Sequence, residues 1–579
     1  MAEVTLSLPE AIRRGAAAYE QGRFDDAEQF CRAILDVKAD DFNALHLLAV
    51  VQSRRGLHTY AQANFARALA VRPDHAEAHR NRGVSLEILK RYDEALASFD
   101  RALTLRPDDA RVHNNRGNVL KELRRFEEAL ASYDRALALR PDYAEPFNNR
   151  GAVLDELKRF EEALECYDRA LELRPDYAEA FNNRSIALTA LKRFDEAMAS
   201  VARALALRPN YPEAHNSRGI AHYERNQYRE ALASYQAAIE LKPDFAQAHF
   251  NMAQCHLLLG DFEQGWHENE WRWDIAQAGG VKRRFTQPQW NGVEEIAGKT
   301  ILLHAEQGFG DTLQFYRYAR LAAARGARVI LEVQRPLKRL LSGDAGVHLV
   351  LARGEPLPRF DLHCPLLSLP RAFGTRSATI PPMSAPLRVP RQSMQTWESR
   401  LGPKVKPRVG IAWCGRPSHK NDHNRSIPLQ TLLGSFALPV ELVSLQKDVN
   451  GVDESFLRAE SSSVAHFGPM LTDFTETAAL ASLMDLVVTV DTSVAHLAAA
   501  LGRSTWILLP SPPDWRWMLD REDSPWYPSV RLFRQSQAGD WGVVIANVAA
   551  ALSEFVADMR EAEAARVAEQ AASQRLLRG

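Results

Sequence analysis

The chain has 579 residues, enough for several domains, with 72 lysines and arginines against 73 aspartates and glutamates and a formal net charge of -1. That balance excludes a surface built as a whole to bind nucleic acid or another polyanion. Its cysteines (Cys31, Cys166, Cys255, Cys364, Cys414) are scattered without a CxxC pair, which reads as reduced thiols and no zinc site.

In chain order, the opening MAEVTLSLPEAIRRG has no basic start followed by an apolar core. No signal peptide is expected, and the protein is read as cytoplasmic. Repetition follows. Arg-Pro or Lys-Pro places Pro73, Pro107, Pro141, Pro175, Pro209 and Pro243, each 34 residues after the last. Gly83, Gly117, Gly151, Ser185, Gly219 and Ala253 lie ten residues after each proline. A fixed period of this length predicts stacked helical units. Small residues let two antiparallel helices approach, an aromatic fills the gap between neighbouring units, and proline ends the second helix. One unit cannot bury its apolar face alone, so the stack is expected to be a solenoid with a concave groove.

This pattern resembles the tetratricopeptide family. Its small residue at position 8 is the series just given, its alanine at position 20 is Ala95, Ala129, Ala163, Ala197 and Ala231, and its aromatic at position 24 is Phe99, Tyr133, Tyr167 and Tyr235. The register extends back to weaker units at 8–41 and 42–75, and forward to one that starts at 246 and decays around DFEQGWHENEWRW. Seven repeats and a divergent last one are expected over 1–275.

Residues 276–297 lack the register and read as a connector. The stretch KTILLHAEQGFGDTLQFYRYARLAAARGARVILEV then holds an apolar run (Ile301 to Leu303), a glycine-rich turn, an amphipathic helix and a second run (Val329 to Val333), the pattern of a βαβ unit. FDLHCPLLSLP continues the alternation. After the proline-rich IPPMSAPLRVPRQ, four more short strands are read in PRVGIAWCG, VELVSLQ, MDLVVTVD and STWILLP. The longest apolar stretch, Met484 to Leu501, carries Asp485, Asp491 and His496, too polar to span a bilayer. Two Rossmann-like halves, 298–395 and 400–560, are expected to face each other across a cleft at the carboxyl ends of their strands. A charged helical tail fills 561–579.

The chemistry-bearing stretches fall at strand ends. GFGD bends the chain sharply after the first strand and leaves Asp311 at the mouth of the cleft; a plain helix N-cap is the competing reading. His304 and Glu306 lie on the same turn as reserve candidates for a base. VDTSVAH places Asp491, Thr492 and Ser493 at a helix start, a seat for phosphate, with His496 one turn on. SLQKD offers Gln446 and Lys447 at another strand end. HKNDHNR (His419 to Arg425) follows no metal-ligand spacing and reads as a polar loop closing over phosphates. SPPDWRWMLDREDSPWYP holds Trp515, Trp517, Trp526 and Tyr527, which either stack on a ligand or pack the loop down.

Together these stretches resemble the heptosyltransferase-like glycosyltransferases of the GT-B fold. The resemblance covers about 298–550. It makes Asp311 of the GD element the catalytic base, and it gives Asp491, Thr492, His496 and the following LAAALG to the nucleotide diphosphate. That family's basic residue three before a Trp-Pro proline corresponds to Arg425 before Pro428, with Arg for Lys and Ile for Trp. An α-solenoid of tetratricopeptide repeats followed by an α/β GT-B fold also resembles the protein O-GlcNAc transferases, whose asparagine ladder bonds the acceptor backbone. Here position 6 reads Asn81, Asn115, Asn149, Asn183, Ser217 and Asn251; a carboxamide both donates and accepts and can grip any extended chain. The histidine motifs of those transferases are not found.

The resemblance implies a sugar moved from a nucleotide-sugar to Ser or Thr of a protein in the repeat groove, with flagellin or another surface protein as the analogy-based target. No metal or other cofactor is expected, nor nucleic acid or a membrane span; self-association through the repeats is open. A scaffold with a degenerate GT-B part, and a transferase acting on glycan or lipid, are the alternatives.

Overall fold

The computed structural model describes residues 7–275, 283–344, 346–383, 386–416, 421–433, 439–459 and 464–576. The chain divides into two compact units, residues 1–221 and 222–579.

The first unit is a solenoid of helix pairs. It opens with Leu8–Glu20 and Phe24–Val37, and the same pair recurs every 34 residues to Ala178–Ala190 and Phe194–Leu207. The position-20 alanines Ala27, Ala61, Ala95, Ala129, Ala163 and Ala197 are fully buried. A side chain at Gly83, Gly117 or Gly151 would run into the ring of Phe99, Tyr133 or Tyr167, the nearest ring atom being 2.5–2.6 Å from the added Cβ. The aromatic therefore seats on the glycine of its own unit, within a core that runs on through the neighbouring units. Close approach of the two helices, set by glycine, is what lets a short pair bury a whole tyrosine.

The turn inside each pair is equally periodic. Gly22, Gly56, Lys90, Arg124, Lys158 and Lys192 all have positive φ, between +58° and +75°. Within residues 1–221 only the first two pairs use glycine there; the other four force a long side chain into the left-handed region, at a cost of about 1–2 kcal/mol each. Two substitutions should then move stability in opposite directions. Lys158→Gly should stabilise by about 0.5–1 kcal/mol, and Gly117→Ala should destabilise by about 1–3 kcal/mol through overpacking against Tyr133. Urea denaturation of the full chain, followed by circular dichroism, reads both.

The second unit begins inside the helix Pro212–Glu224, upstream of the 276–297 connector, and holds the last repeat helices Tyr228–Leu241, Ala246–Leu258 and Phe262–Glu268 together with the α/β part. The first sheet has strands β1 (Thr300–His304), β2 (Arg328–Val333), β3 (Leu349–Ala352) and β4 (Leu362–Pro365). It is parallel throughout, in the order β3-β2-β1-β4. The second sheet has β5 (Arg408–Ala412), β6 (Glu441–Ser444), β7 (Val464–His466), β8 (Leu486–Val490), β9 (Thr505–Leu509) and β10 (Val530–Arg534). It too is parallel, in the order β7-β6-β5-β8-β9-β10, the arrangement of a six-stranded dinucleotide-binding fold with its switch point between β5 and β8. Four helices matter to the site: α1 (Phe309–Phe315) after β1, α2 (Phe474–Ser482) before β8, α3 (Ser493–Ala500) after β8, and α4 (Gly542–Leu576) after β10.

Among the described residues α4 holds one segment, Gly542–Ala562, long and apolar enough to cross a membrane. Its Val544, Ile545, Val548, Leu552 and Val556 are buried in the core with Val488, Leu508 and Phe533 of the second sheet, so its apolar face already has a partner in the fold.

Candidate active site

The carboxyl ends of β1, β5, β6, β8 and β9 open onto one cleft of about 760 Å³. Its wall is made by Gly308 to Asp311 after β1, Cys414 to Arg416 after β5, Leu445 to Asn450 after β6, Asp491 to Val494 after β8, and Asp514 and Arg516 after β9. Thus Asp311, Arg425, Gln446, Lys447, Asp491, Thr492, Ser493 and His496, far apart in the chain, line a single space.

Asp311 sits in the first turn of α1. Its Oδ2 accepts from the Gly308 amide at 2.9 Å, closing the turn, and its Oδ1 pairs with the Arg516 guanidinium. The N-cap of this helix is Gly308, not Asp311; Asp311, at the third helical position, bonds back to the cap amide while its other oxygen faces the cleft. Gly310 faces His496 so closely that a Cβ would lie 2.8 Å from the imidazole Cδ2, and this is how α1 of the first sheet comes against α3 of the second.

At α3 the Thr492 hydroxyl caps the helix, accepting from the Val494 amide at 3.3 Å. The helix N-terminus presents its positive end to the cleft. Arg425 donates to the Asp491 carbonyl at 3.0 Å and lies 3.3 Å from Asp422, which ties the loop after β5 to that helix start. His419 of the same polar stretch lies outside the described residues. Gln446 accepts from the Cys414 amide at 3.4 Å and donates to the Asp448 carbonyl at 3.2 Å, bridging the exits of β5 and β6. Lys447 and Arg416 make no ion pair among the described residues and are the cations left for an anionic ligand.

His496 is 4% exposed. Its Nδ1 meets the Tyr527 hydroxyl at 3.1 Å and its ring stacks on Trp517. Burial, with Arg516 nearby, pushes its pKa down to about 3. Burial thus favours the neutral imidazole, which can still donate one hydrogen bond. Asp491 is held above the usual carboxylate range by burial and then by Asp514. Burial also works to raise Asp514, but Arg516 outweighs it and holds it low.

The reserve bases lie elsewhere and do not line the cleft. Glu306 receives Arg272 Nε at 2.9 Å and Nη2 at 3.2 Å, with both side chains 2% exposed, and the Leu367 amide at 3.2 Å. Burial raises its pKa against the pull of Arg272. His304 is buried 3.3 Å from His363 Nδ1 and beside Phe285, with its pKa pushed down to about 3 by burial and then by His363. Trp515, Trp517, Trp526 and Tyr527 are all under 5% exposed and none lines the cleft. Trp515 and Trp526 pack with Trp266 of the last repeat and Phe315 of α1. Packing, not ligand stacking, explains that loop. Its Asp514 and Arg516, passed over beside the tryptophans, are the members that reach the cleft; a charged pair between aromatics just past a strand was the available signal.

In the first unit the asparagines form a directional chain. Asn182 donates to Asn183 (3.4 Å), Asn183 to Asn148 (3.0 Å), Asn148 to Asn149 (3.4 Å), Asn149 to Asn114 (3.1 Å) and Asn118 (3.0 Å), and Asn114 to Asn115 (3.5 Å). Position 6 is thus bonded to position 5 of the preceding unit, and Asn118 joins the ladder unforeseen. Asn81 accepts from Arg80 at 3.3 Å, and Asn251, in the second unit, accepts from Gln247 at 2.9 Å. Among the described residues no group of three or more His, Cys, Asp or Glu is placed to hold a metal ion.

Comparison with known families agrees with this division. Tetratricopeptide-repeat models match residues 47–110, 108–176, 142–210 and 221–260. The model of glycosyltransferase family 9 (heptosyltransferase) matches residues 466–508, from β7 through α2, β8 and α3 into β9. The chain therefore carries tetratricopeptide repeats in its amino-terminal half and, in its carboxyl-terminal part, a stretch that matches glycosyltransferase family 9. Among its relatives, Protein FlbA of Caulobacter vibrioides is 25% identical over 334 residues, 53% of this chain and 55% of that protein, so the chain spans about half the length of the curated relative it matches. Solved structures similar to it include a tetratricopeptide repeat protein from Parabacteroides merdae (15% identity, TM-score 0.37, 42% of this chain and 97% of that one). Another is a thermophilic repeat protein of Thermus thermophilus (27%, TM-score 0.29, 32% and 100%).

If Glu306 serves the fold through Arg272, Glu306→Ala should cost about 3–5 kcal/mol by leaving a buried guanidinium underpaired. Glu306→Gln, which still offers an acceptor, should cost clearly less. Guanidinium denaturation of the two variants checks the order.

Proposed function

We propose that the protein is a glycosyltransferase that moves a sugar from a nucleotide-sugar to the hydroxyl of Ser or Thr on a protein acceptor held by the repeats. One observation carries the reading. Asp311 from the first sheet, and the start of α3 with Arg425 from the second, converge on one cleft at the carboxyl ends of parallel strands. The family 9 match over the same helix supports it.

The donor's diphosphate rests against the α3 amides, with Arg425, Arg416 and Lys447 supplying positive charge, so that the leaving group's developing charge meets groups already oriented for it. The acceptor oxygen attacks the anomeric carbon as the bond from that carbon to the phosphate oxygen breaks. Asp311 takes the proton that the attacking hydroxyl releases. No metal enters this scheme. The neutral His496 donates or accepts one hydrogen bond at the cleft floor. The repeat asparagines keep lone pairs for a peptide backbone, although much of their donor capacity is spent on one another. The reaction is placed in the cytoplasm, where nucleotide-sugars are made.

The test is transfer of labelled sugar from UDP-, GDP-, ADP- and CMP-linked donors in a lysate of the native cell, with the labelled product identified by mass spectrometry and purified flagellin included as an acceptor. Asp311→Asn should lower transfer by about 10²–10⁴-fold. Label on Ser or Thr of a protein supports the reading. Label on lipid or free glycan moves the acceptor class, and no label with any donor favours a scaffold.

A further inference from the structure

Arg516 has no part in the reaction set out above, yet it is the best-anchored cation of the cleft. It leaves the loop after β9, and its Nη1 lies 2.9 and 3.0 Å from the two oxygens of Asp514. Asp514 in turn accepts from the Arg516 amide at 2.9 Å, so the pair is locked by its own turn. The guanidinium lies over the Trp515 ring, 4.4 Å from its centroid. Trp515 is wedged among Trp266, Phe315 and Trp526. The remaining Nη2 pairs with Asp311 Oδ1.

A phosphate role for Arg516 is disfavoured by charge. One guanidinium and two carboxylates, Asp311 and Asp514, sum to -1, so this triad repels a diphosphate, and both Nη groups are already engaged. What the arrangement does is hold Asp311. Gly308 of the first half fixes one carboxylate oxygen at 2.9 Å and Arg516 of the second half fixes the other. Each oxygen keeps a second lone pair to receive a proton.

We propose that Arg516 is the positioning residue for Asp311, reaching from the second sheet to fix the orientation of the carboxylate that takes the acceptor's proton. The base is then aligned only while the two halves stand in register. This inference rests on the transferase reading above and gives it a dependence that reading does not require.

The experiment is a double-mutant cycle on the full chain with Arg516→Gln, Asp311→Asn and the combination, and with Arg516→Lys as the conservative variant. Donor binding and sugar transfer are measured separately. Arg516→Gln should lower the turnover of transfer by about 100-fold, the effect of a misplaced catalytic group, and leave the donor dissociation constant within about threefold. Arg516→Lys should restore part of the rate. In the Asp311→Asn background the same change should cost less than about threefold more, because the residue it positions is gone. The inference is overturned by unchanged transfer in Arg516→Gln, by donor affinity falling in step with rate, or by a full additive loss in the double variant. Should Arg516→Gln fail to fold, Arg516→Lys in both backgrounds runs the same cycle. If the parent transfers no sugar from any donor, the transferase reading fails first and takes this inference with it.

Discussion

Every strand in the second unit runs parallel to its neighbours, and that constraint decides where its chemistry sits. Parallel strands need a crossover after each one, so the loops leaving their carboxyl ends gather at a single edge of the sheet. Asp311 and Arg516, 205 residues apart and from different sheets, meet because the carboxyl edges of both sheets open onto the same cleft. Within the second sheet the order reverses between β5 and β8, leaving a crevice between their exits. The Cys414–Arg416 loop lines one side of it and the start of α3 the other. A helix N-terminus beside a crevice is an anion site before any side chain is counted.

The second dependency is the contact of the last repeat with the sheets. Trp266 donates to the Thr375 carbonyl at 3.0 Å, and Arg272 lies between Glu306, Glu270 and Ser368. The fork geometry of the guanidinium and a fully paired surrounding make such a buried charge tolerable. Through Trp266, Trp515 and Trp526 the same contact supports the loop that carries Arg516. A residue of the helical array therefore stands behind a residue of the cleft, within one compact unit.

How much of this was legible in sequence follows from what each signal measures. The 34-residue register was plain because each unit solves the same packing problem with the same small and aromatic residues. Strands β1, β2, β4, β5, β6, β8 and β9 were legible as apolar runs. The ones missed, β3, β7 and β10, are sheet-edge strands: β7 is short and half-exposed, β10 is interrupted by Arg531, and β3 is an apolar run of only four residues. The glycines and the DTS stretch pointed to cleft residues because helix starts after strands have a local signature. Glu306 and His304 sat just as near in sequence, but burial depends on partners such as Arg272 and His363 that lie far along the chain, which no local pattern reports. Arg516 was hidden for the opposite reason, since three surrounding tryptophans dominated the reading of its loop.

The central claim is that this cleft binds a nucleoside diphosphate through the start of α3 and Arg425. Calorimetric titration of UDP, GDP, ADP and CDP into the parent and into Arg425→Gln tests it directly. The account predicts that one nucleotide binds at one site per chain, and that Arg425→Gln weakens it by at least about tenfold, the loss of one charge-assisted contact, with the ligand-free melting temperature unchanged. Failure of all four nucleotides to bind, or equal binding by Arg425→Gln, would contradict it.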